Sequence, residues 1–160
     1  EDFRVNENEM TGIIPGSLYN LEKLKKLWLQ DSLKCEEVDS VWECTNDSEV
    51  GFEGSIQTEI GNLRKLSQLL LNNNPLTGTL PTELGLCEDL SVLHIHKTNI
   101  EGSVPNEVCL LRDKNLNNEL GTGMFYADCG PNNSAQDPFI QCNCCSDCCD
   151  HTTQVCIADV

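Results

Sequence analysis

Long apolar runs are missing from this 160-residue chain: no stretch approaches the roughly 18 consecutive apolar residues that a helix needs to cross a bilayer. Aromatic residues are scarce at 5%, so a core, for which the 39% hydrophobic content suffices, has to be built from aliphatic side chains. Basic residues are few, 10 against 26 acidic ones, and a formal charge of −16 disfavours an electrostatic grip on nucleic acid or an anionic membrane, both polyanions. Cationic partners or Ca²⁺ fit that sign, and so does a charge that merely keeps the chain soluble. Catalytic signatures are absent as well. With three histidines and no nucleophile elbow, phosphate-cradling loop or HExxH, no base, nucleophile and oxyanion donor can be assigned, and the expectation is a non-enzyme without cofactor.

What the chain does have is cysteine: eleven residues, seven of them between Cys129 and Cys156. That density belongs where disulfides survive, in secreted, extracellular or other oxidising luminal space. The chain opens on Glu1 and Asp2 with neither Met nor an apolar leader, which reads as a signal peptide removed or left out.

It also has a period. Gly54, Gly78 and Gly102 stand 24 residues apart, each opening a Gly-x-aliphatic phrase. Asn8-x-Met10-x-Gly12-x-Ile14-Pro15-x-x-Leu18-x-x-Leu21 matches Asn74-x-Leu76-x-Gly78-x-Leu80-Pro81-x-x-Leu84-Gly85-x-Cys87 slot for slot. Leu63-x-x-Leu66-x-x-Leu69-x-Leu71-x-x-Asn74 returns as Cys87-x-x-Leu90-x-x-Leu93-x-Ile95-x-x-Thr98 and as Leu21-x-x-Leu24-x-x-Leu27-x-Leu29. A fixed lap of this length predicts a solenoid in which every coil buries its leucines against the next. In Leu69-x-Leu71 alternate side chains face opposite ways, so both leucines enter the interior and Leu70 looks outward. Asn74 is placed to bond turn backbone that no strand satisfies, Gly78 permits a tight path, and Pro81 removes a donor where the coil turns.

Over residues 2–111 this phrase resembles the plant-type leucine-rich repeat, written LxxLxxLxLxxNxLxGxIPxxLGxL. The resemblance implies an α/β solenoid, a right-handed superhelix whose LxL segments form a parallel sheet on the concave side, with a second short strand near the Gly-x-Ile-Pro phrase. The expected solenoid has about five coils. Gln57 replaces the proline, Ser32 and Thr98 stand in the asparagine slot, and Cys87 occupies a leucine slot as a small buried hydrophobe rather than an active thiol.

Two irregularities interrupt the repeat. Gly12 and Gly54 are 42 residues apart, 18 more than one lap, and the surplus lies within residues 30–52. That insertion holds Cys35 and Cys44, Trp42, and the acidic residues Glu36, Glu37, Asp39, Glu43, Asp47 and Glu49; the two cysteines predict a disulfide-closed acidic loop. At the start, Phe3-x-Val5-x-x-Asn8 already fills the LxLxxN slots, so the first strand has an open edge, and upstream repeats, a cap or another subunit is expected to cover it.

After Leu111 the repeat decays through Leu116 and a Gly121-Thr122-Gly123 turn into Met124–Cys129, a last strand, followed by Cys142-Asn143-Cys144-Cys145-Ser146-Asp147-Cys148-Cys149 and Cys156. Residues 1–111 are thus expected to form the solenoid and 112–160 a last strand with a cysteine-rich C-terminal cap. The tail resembles the closing segment of secreted leucine-rich-repeat proteins from diatoms and related algae. Cys142, Cys145 and Cys148 with His151 have plausible zinc or iron–sulfur spacing, but consecutive cysteines in a secreted cap are more simply disulfides. With an odd total, Cys87 is nominated as the free thiol. That leaves Cys35 with Cys44, and four bridges among Cys109, Cys129, Cys142, Cys144, Cys145, Cys148, Cys149 and Cys156, whose connectivity stays open.

On the concave sheet the outward central column reads Arg4, Trp28, Leu70, His94, Tyr126, and the next Asn6, Gln30, Asn72, His96, Asp128. Apolar and aromatic residues in line suit a contact patch, against the plain alternative of scattered surface residues without a partner. Arg4, Trp28, Gln30, Leu70, Asn72, His94, His96 and Tyr126 are therefore the candidate ligand-binding residues. His94 and His96 flank Ile95 and point the same way, about 7 Å apart by strand rise, a polar contact rather than a metal pair. Asn46-Asp47-Ser48 and Asn132-Asn133-Ser134 are glycosylation sequons.

Within the resembled family such surfaces belong to receptor ectodomains and to inhibitors of wall-degrading enzymes such as polygalacturonase-inhibiting proteins. The expected function is extracellular recognition of a protein, peptide or glycan on the concave face, without nucleic acid or membrane insertion. The rival is a structural subunit of an extracellular or luminal assembly, packing through the open N-terminal edge.

Overall fold

The computed structural model describes residues 1–6, 8, 10–30, 34–38, 41–45, 51–111, 124–129, 140–149 and 156–158; for 34–38, 41–45 and 156–158 it describes the backbone alone. Among these residues the LxL segments become short strands one lap apart: β1 (Asp2–Arg4), β3 (Lys26–Trp28), β7 (Gln68–Leu70), β9 (Val92–His94) and β12 (Met124–Ala127). They pair in parallel in chain order, with Phe3, Leu27, Leu69, Leu93 and Phe125 in register. β14 (Asp147–Cys149) continues the sheet in parallel and β15 (Cys156–Ala158) closes it antiparallel.

Beyond the sheet each coil turns through a two-residue strand that pairs with its neighbour's. β2 (Gly12–Ile13) joins β6 (Phe52–Glu53), β8 (Thr77–Gly78) joins β10 (Asn99–Ile100), and β11 (Gly102–Ser103) joins β13 (Ile140–Gln141). Single-turn 3₁₀ helices follow at Gly16–Asn20, Thr58–Asn62 and Thr82–Leu86, and the last described coil has α1 (Asn106–Leu111) instead. Each 3₁₀ turn opens on an extended residue, Pro15, Gln57 or Pro81, whose carbonyl accepts from the residue three positions on. Gln57 at φ −79° and ψ 152° copies the proline geometry, which is why the repeat tolerates its loss.

The interior is an aliphatic column. Leu27, Leu69 and Leu93, with Leu29, Leu71 and Ile95 behind them, are buried, as are Leu24, Leu66 and Leu90 from the segments before the strands. Cys87 takes its leucine slot as expected of a small hydrophobe: it is free and wholly buried, its Sγ donates to the Ile60 carbonyl at 3.4 Å, and burial pushes the thiol up to about 12. On the helical side the coils approach too closely for side chains. A Cβ on Gly85 would stand 2.6 Å from the Glu107 Cβ and 2.7 Å from its backbone carbonyl, so glycine there is a packing requirement. Gly78, at φ +77°, is needed for its conformation as well.

Asn74 ties three segments together. Its Nδ2 donates to the carbonyls of Leu29 and Leu71 at 2.9 Å and of Asn72 at 3.2 Å, and its Oδ1 accepts from the Phe52 N–H at 2.9 Å. Two of those partners lie on the preceding coil. Thr98 fills the same slot with a shorter side chain, reaching only the Ile95 carbonyl at 2.7 Å and, weakly, the Ile100 N–H; the carboxylate of Asp128 takes over by accepting from the Thr98 N–H at 3.2 Å. Ser32, the other substitution in the asparagine slot, lies outside the described residues.

At the far end, Cys109 of α1 is bonded to Cys144, Cys129 to Cys148 and Cys142 to Cys145. Cys149 is disulfide-bonded too and stands opposite Cys156 in the β14–β15 register. The sulfurs that a zinc or iron–sulfur reading would use, those of Cys142, Cys145 and Cys148, are thereby committed to disulfides; His151 lies outside the described residues. In the insertion, β4 (Lys34–Val38) and β5 (Val41–Thr45) form an antiparallel hairpin with Cys35 opposite Cys44. Asn46 and Asn132 lie outside the described residues.

Asn74→Ala strands buried backbone groups on two coils and should lower stability by roughly 2–4 kcal/mol, read as a drop in urea midpoint at unchanged m-value. Asn8, exposed and bonded among the described residues to the Val5 and Asn6 carbonyls of its own coil, is the control: Asn8→Ala should cost about 1 kcal/mol or less. Equal costs at the two positions would remove the inter-coil role given to Asn74.

Candidate functional site

Because alternate residues of a strand face opposite ways, each LxL strand that buries its leucines must turn the intervening residue outward. Arg4, Trp28, Leu70, His94 and Tyr126 are aligned by the sheet register across five strands, and Asp147 extends the row on β14. Their backbone is fixed from both sides: the carbonyls of Trp28, Leu70, His94 and Tyr126 accept from Val5, Leu29, Leu71 and Ile95 at 2.9–3.0 Å. Arg4 is exposed, and Trp28, Leu70, His94, Tyr126 and Asp147 are half-buried.

The row has a cationic end. The Arg4 guanidinium lies 4.1 Å from the Trp28 ring centre and donates to Asp2 at 2.7 Å, while the Lys26 ammonium is 5.8 Å from the same ring. The indole N–H donates to Gln68 Oε1 at 3.2 Å, so Trp28 is held by its edge and covered on its face. The exposed Arg4–Asp2 ion pair contributes little on its own.

At the other end the rings gather. His94 stacks on Tyr126 with centres 4.6 Å apart at 17°, and His96 stands 5.8 Å from His94 and 6.0 Å edge-on from Tyr126. Burial pushes His94 down to about 4. His96 falls to about 4 as well, through burial first and then the charges of His94 and Lys97, so both imidazoles are neutral near pH 7. The Tyr126 phenol is raised, by burial and then by the Asp147 carboxylate beside it.

The second outward column is less open than the strand pattern implies. Gln30 and His96 are half-buried, but Asn72 is only 7% exposed and Asp128 5%. Asp128 is turned to the Thr98 N–H, a structural duty rather than a displayed one. Past the strand end the backbone curls into the turn, with Asn73 and Lys97 at φ +56° and +55°, and period-two alternation stops predicting direction. Gln30 Oε1, Asn72 Oδ1, His94 Nε2 and His96 Nδ1 are buried and have no hydrogen-bond partner among the described residues.

One feature of the surface escaped the repeat alignment. Just before the strands, Ser67 Oγ donates to the Lys25 carbonyl at 2.9 Å and Ser91 Oγ to the Ser67 carbonyl at 3.1 Å, while Ser146 Oγ accepts from the Phe125 N–H at 3.1 Å. The seam caps the near edge of the sheet. Its signal was the recurrence of serine 24 residues apart at positions 67 and 91.

Solved structures share this arrangement. A plant peptide hormone receptor, RGFR1 in complex with RGF2, matches at 28% identity and a TM-score of 0.55 over 69% of this chain and 15% of its own. The ectodomain of the Arabidopsis receptor kinase HAESA, in complex with an extended IDA peptide hormone, matches at 25% and 0.54 over 69% of this chain and 16% of its own. The BIR3–SERK2 complex from Arabidopsis thaliana matches in fold at 21% and 0.56, over 88% of this chain and 66% of that one. The chain thus spans less than a fifth of the length of the first two. No protein-family model matches it, nor does any curated protein sequence.

The two histidines give a pH dependence of known sign. Their folded values lie below the ordinary 6.5, so the unfolded chain binds more protons between about pH 4 and 6.5; their contribution is complete above 6.5 and lost as pH falls toward 4. Besides each other, the charged and titratable groups around them are Lys97, Tyr126 and Asp147. The urea midpoint of the native protein should therefore fall more steeply from pH 7 to 4.5 than that of a His94→Phe/His96→Gln variant. Parallel pH profiles would show that neither imidazole is desolvated.

Proposed function

We propose that this plant-type leucine-rich-repeat protein is an extracellular recognition module that holds a polypeptide across its concave face. The observation that carries the reading is the row Arg4, Trp28, Leu70, His94 and Tyr126, in register on five parallel strands and only partly buried. Such a row presents two aromatics, a leucine and a cation at fixed spacing, the composition of an interface centre. The strands are already ordered, so contact costs little conformational entropy. The neighbours named as peptide hormone receptors support a peptide or protein occupant over a glycan, and as receptors they support binding rather than catalysis. The disulfides support an extracellular or otherwise oxidising location.

A selection of linear peptides on the folded protein tests this. Peptides enriched on the native chain should lose at least tenfold in affinity for Trp28→Ala and for His94→Ala, with unchanged circular dichroism, and should keep full affinity for Thr82→Ala on the helical side. Retained affinity in both concave variants would reject the face.

A second reading, association with another chain through the first coil, is favoured by a separate observation. Phe3, Met10, Ile13 and Leu21 are 36%, 42%, 66% and 41% exposed, four of the seven exposed large hydrophobics among the described residues. Light scattering should then give a mass above that of one chain, reduced to one chain by Ile13→Glu; a single-chain mass at micromolar concentration rejects it.

A further inference from the structure

Resting on the concave-face reading, we infer that the His94–His96–Tyr126–Asp147 end of the row is a subsite for an arginine side chain of the bound polypeptide. Three independent features converge there.

The first is what the free surface lacks. At this end His94 Nε2 and His96 Nδ1 are buried without a hydrogen-bond partner among the described residues, and Asn72 Oδ1, on the coil before, is in the same state. Amide oxygens are acceptors only, and a neutral imidazole offers one acceptor nitrogen. A buried acceptor without a donor is destabilising, and in the tautomers that leave Nε2 of His94 and Nδ1 of His96 unprotonated this end of the face calls for N–H groups. Guanidinium supplies them: five donors in a plane and no acceptor.

The second is the π surface. His94 and Tyr126 stack at 4.6 Å and 17°, giving two nearly parallel rings on adjacent strands. A planar cation laid on such a pair gains stacking and cation–π attraction together, where an ammonium gains only the second.

The third is the sign of charge along the row. At the Trp28 end the ring face is already taken by Arg4, with Lys26 near it. At the Tyr126 end the register puts the Asp147 carboxylate next to the phenol ring, and its field is felt there. Lys97 acts on His96 from one side, and the balancing carboxylate is Asp147, one strand beyond Tyr126. The formal charge of −16 draws cationic segments toward the chain from a distance.

The test uses the whole chain and three blocked seven-residue alanine–glycine peptides whose central residue is arginine, citrulline or lysine, followed by the ring C–H resonances of the histidines and tyrosines. With the arginine peptide the His94, His96 and Tyr126 signals should shift saturably. Citrulline, which keeps the shape and loses the charge, should bind at least tenfold more weakly, and lysine at least threefold more weakly. Asp147→Asn and Tyr126→Leu should each weaken the arginine peptide at least threefold; should Tyr126→Leu fail to fold, Asp147→Asn decides alone. Equal responses to arginine and citrulline, or ring signals that stay still with all three, overturn the arginine subsite. Neither result touches the wider concave-face reading, which stands or falls on the peptides selected against Trp28 and His94.

Discussion

A 24-residue coil has inward leucines and no second layer to cover them. Leu69 and Leu71 are buried only because Leu27 and Leu29 lie on one side and Leu93 and Ile95 on the other. The same holds for its polar groups, since the Leu29 carbonyl and Phe52 N–H of one coil are satisfied by Asn74 of the next. Every other property follows from this mutual dependence. Coils must stack at strand spacing, glycine must stand where Gly85 meets Glu107, and cysteine is accepted in a leucine slot only as a buried, unionised thiol.

Stacking at fixed spacing is also what makes a surface. The residue between two buried leucines has nowhere to go but outward, so the core specifies the positions of Arg4, Trp28, Leu70, His94 and Tyr126 before any ligand is present. The disulfides extend this order to the end of the sheet. Cys129–Cys148 ties the segment just after β12 to the middle of β14, and Cys109–Cys144 anchors the cap to α1, so Tyr126 and Asp147 are held side by side. A face with a cation-covered indole at one end and an aromatic cluster beside a carboxylate at the other has a direction, which suits an occupant whose own ends differ.

Much of the fold was legible because the apolar period is strong. The register of Phe3, Leu27, Leu69 and Leu93, the outward row and the buried free Cys87 all follow from the slots they occupy. Legibility failed where the strand ended. Asn72 and Asp128, read as displayed, are buried because the chain curls into the turn there, and period-two alternation holds only for extended backbone. The serine seam at Ser67 and Ser91 was missed because serine is common and its bonds run between coils rather than along the sequence.

The amino-acid sequence by itself determined the lap length, the inward and outward assignment of each strand, and the number of cysteines available to the cap. These depend on local periodicity, which a chain carries whatever its neighbours do. Tertiary structure alone decided which cysteines meet, that Asp128 completes the hydrogen bonding Thr98 leaves unfinished, and that two histidines share an aromatic cluster with Tyr126 while their acceptors stay unpaired. Those outcomes are set by distances between coils, and no single coil contains them.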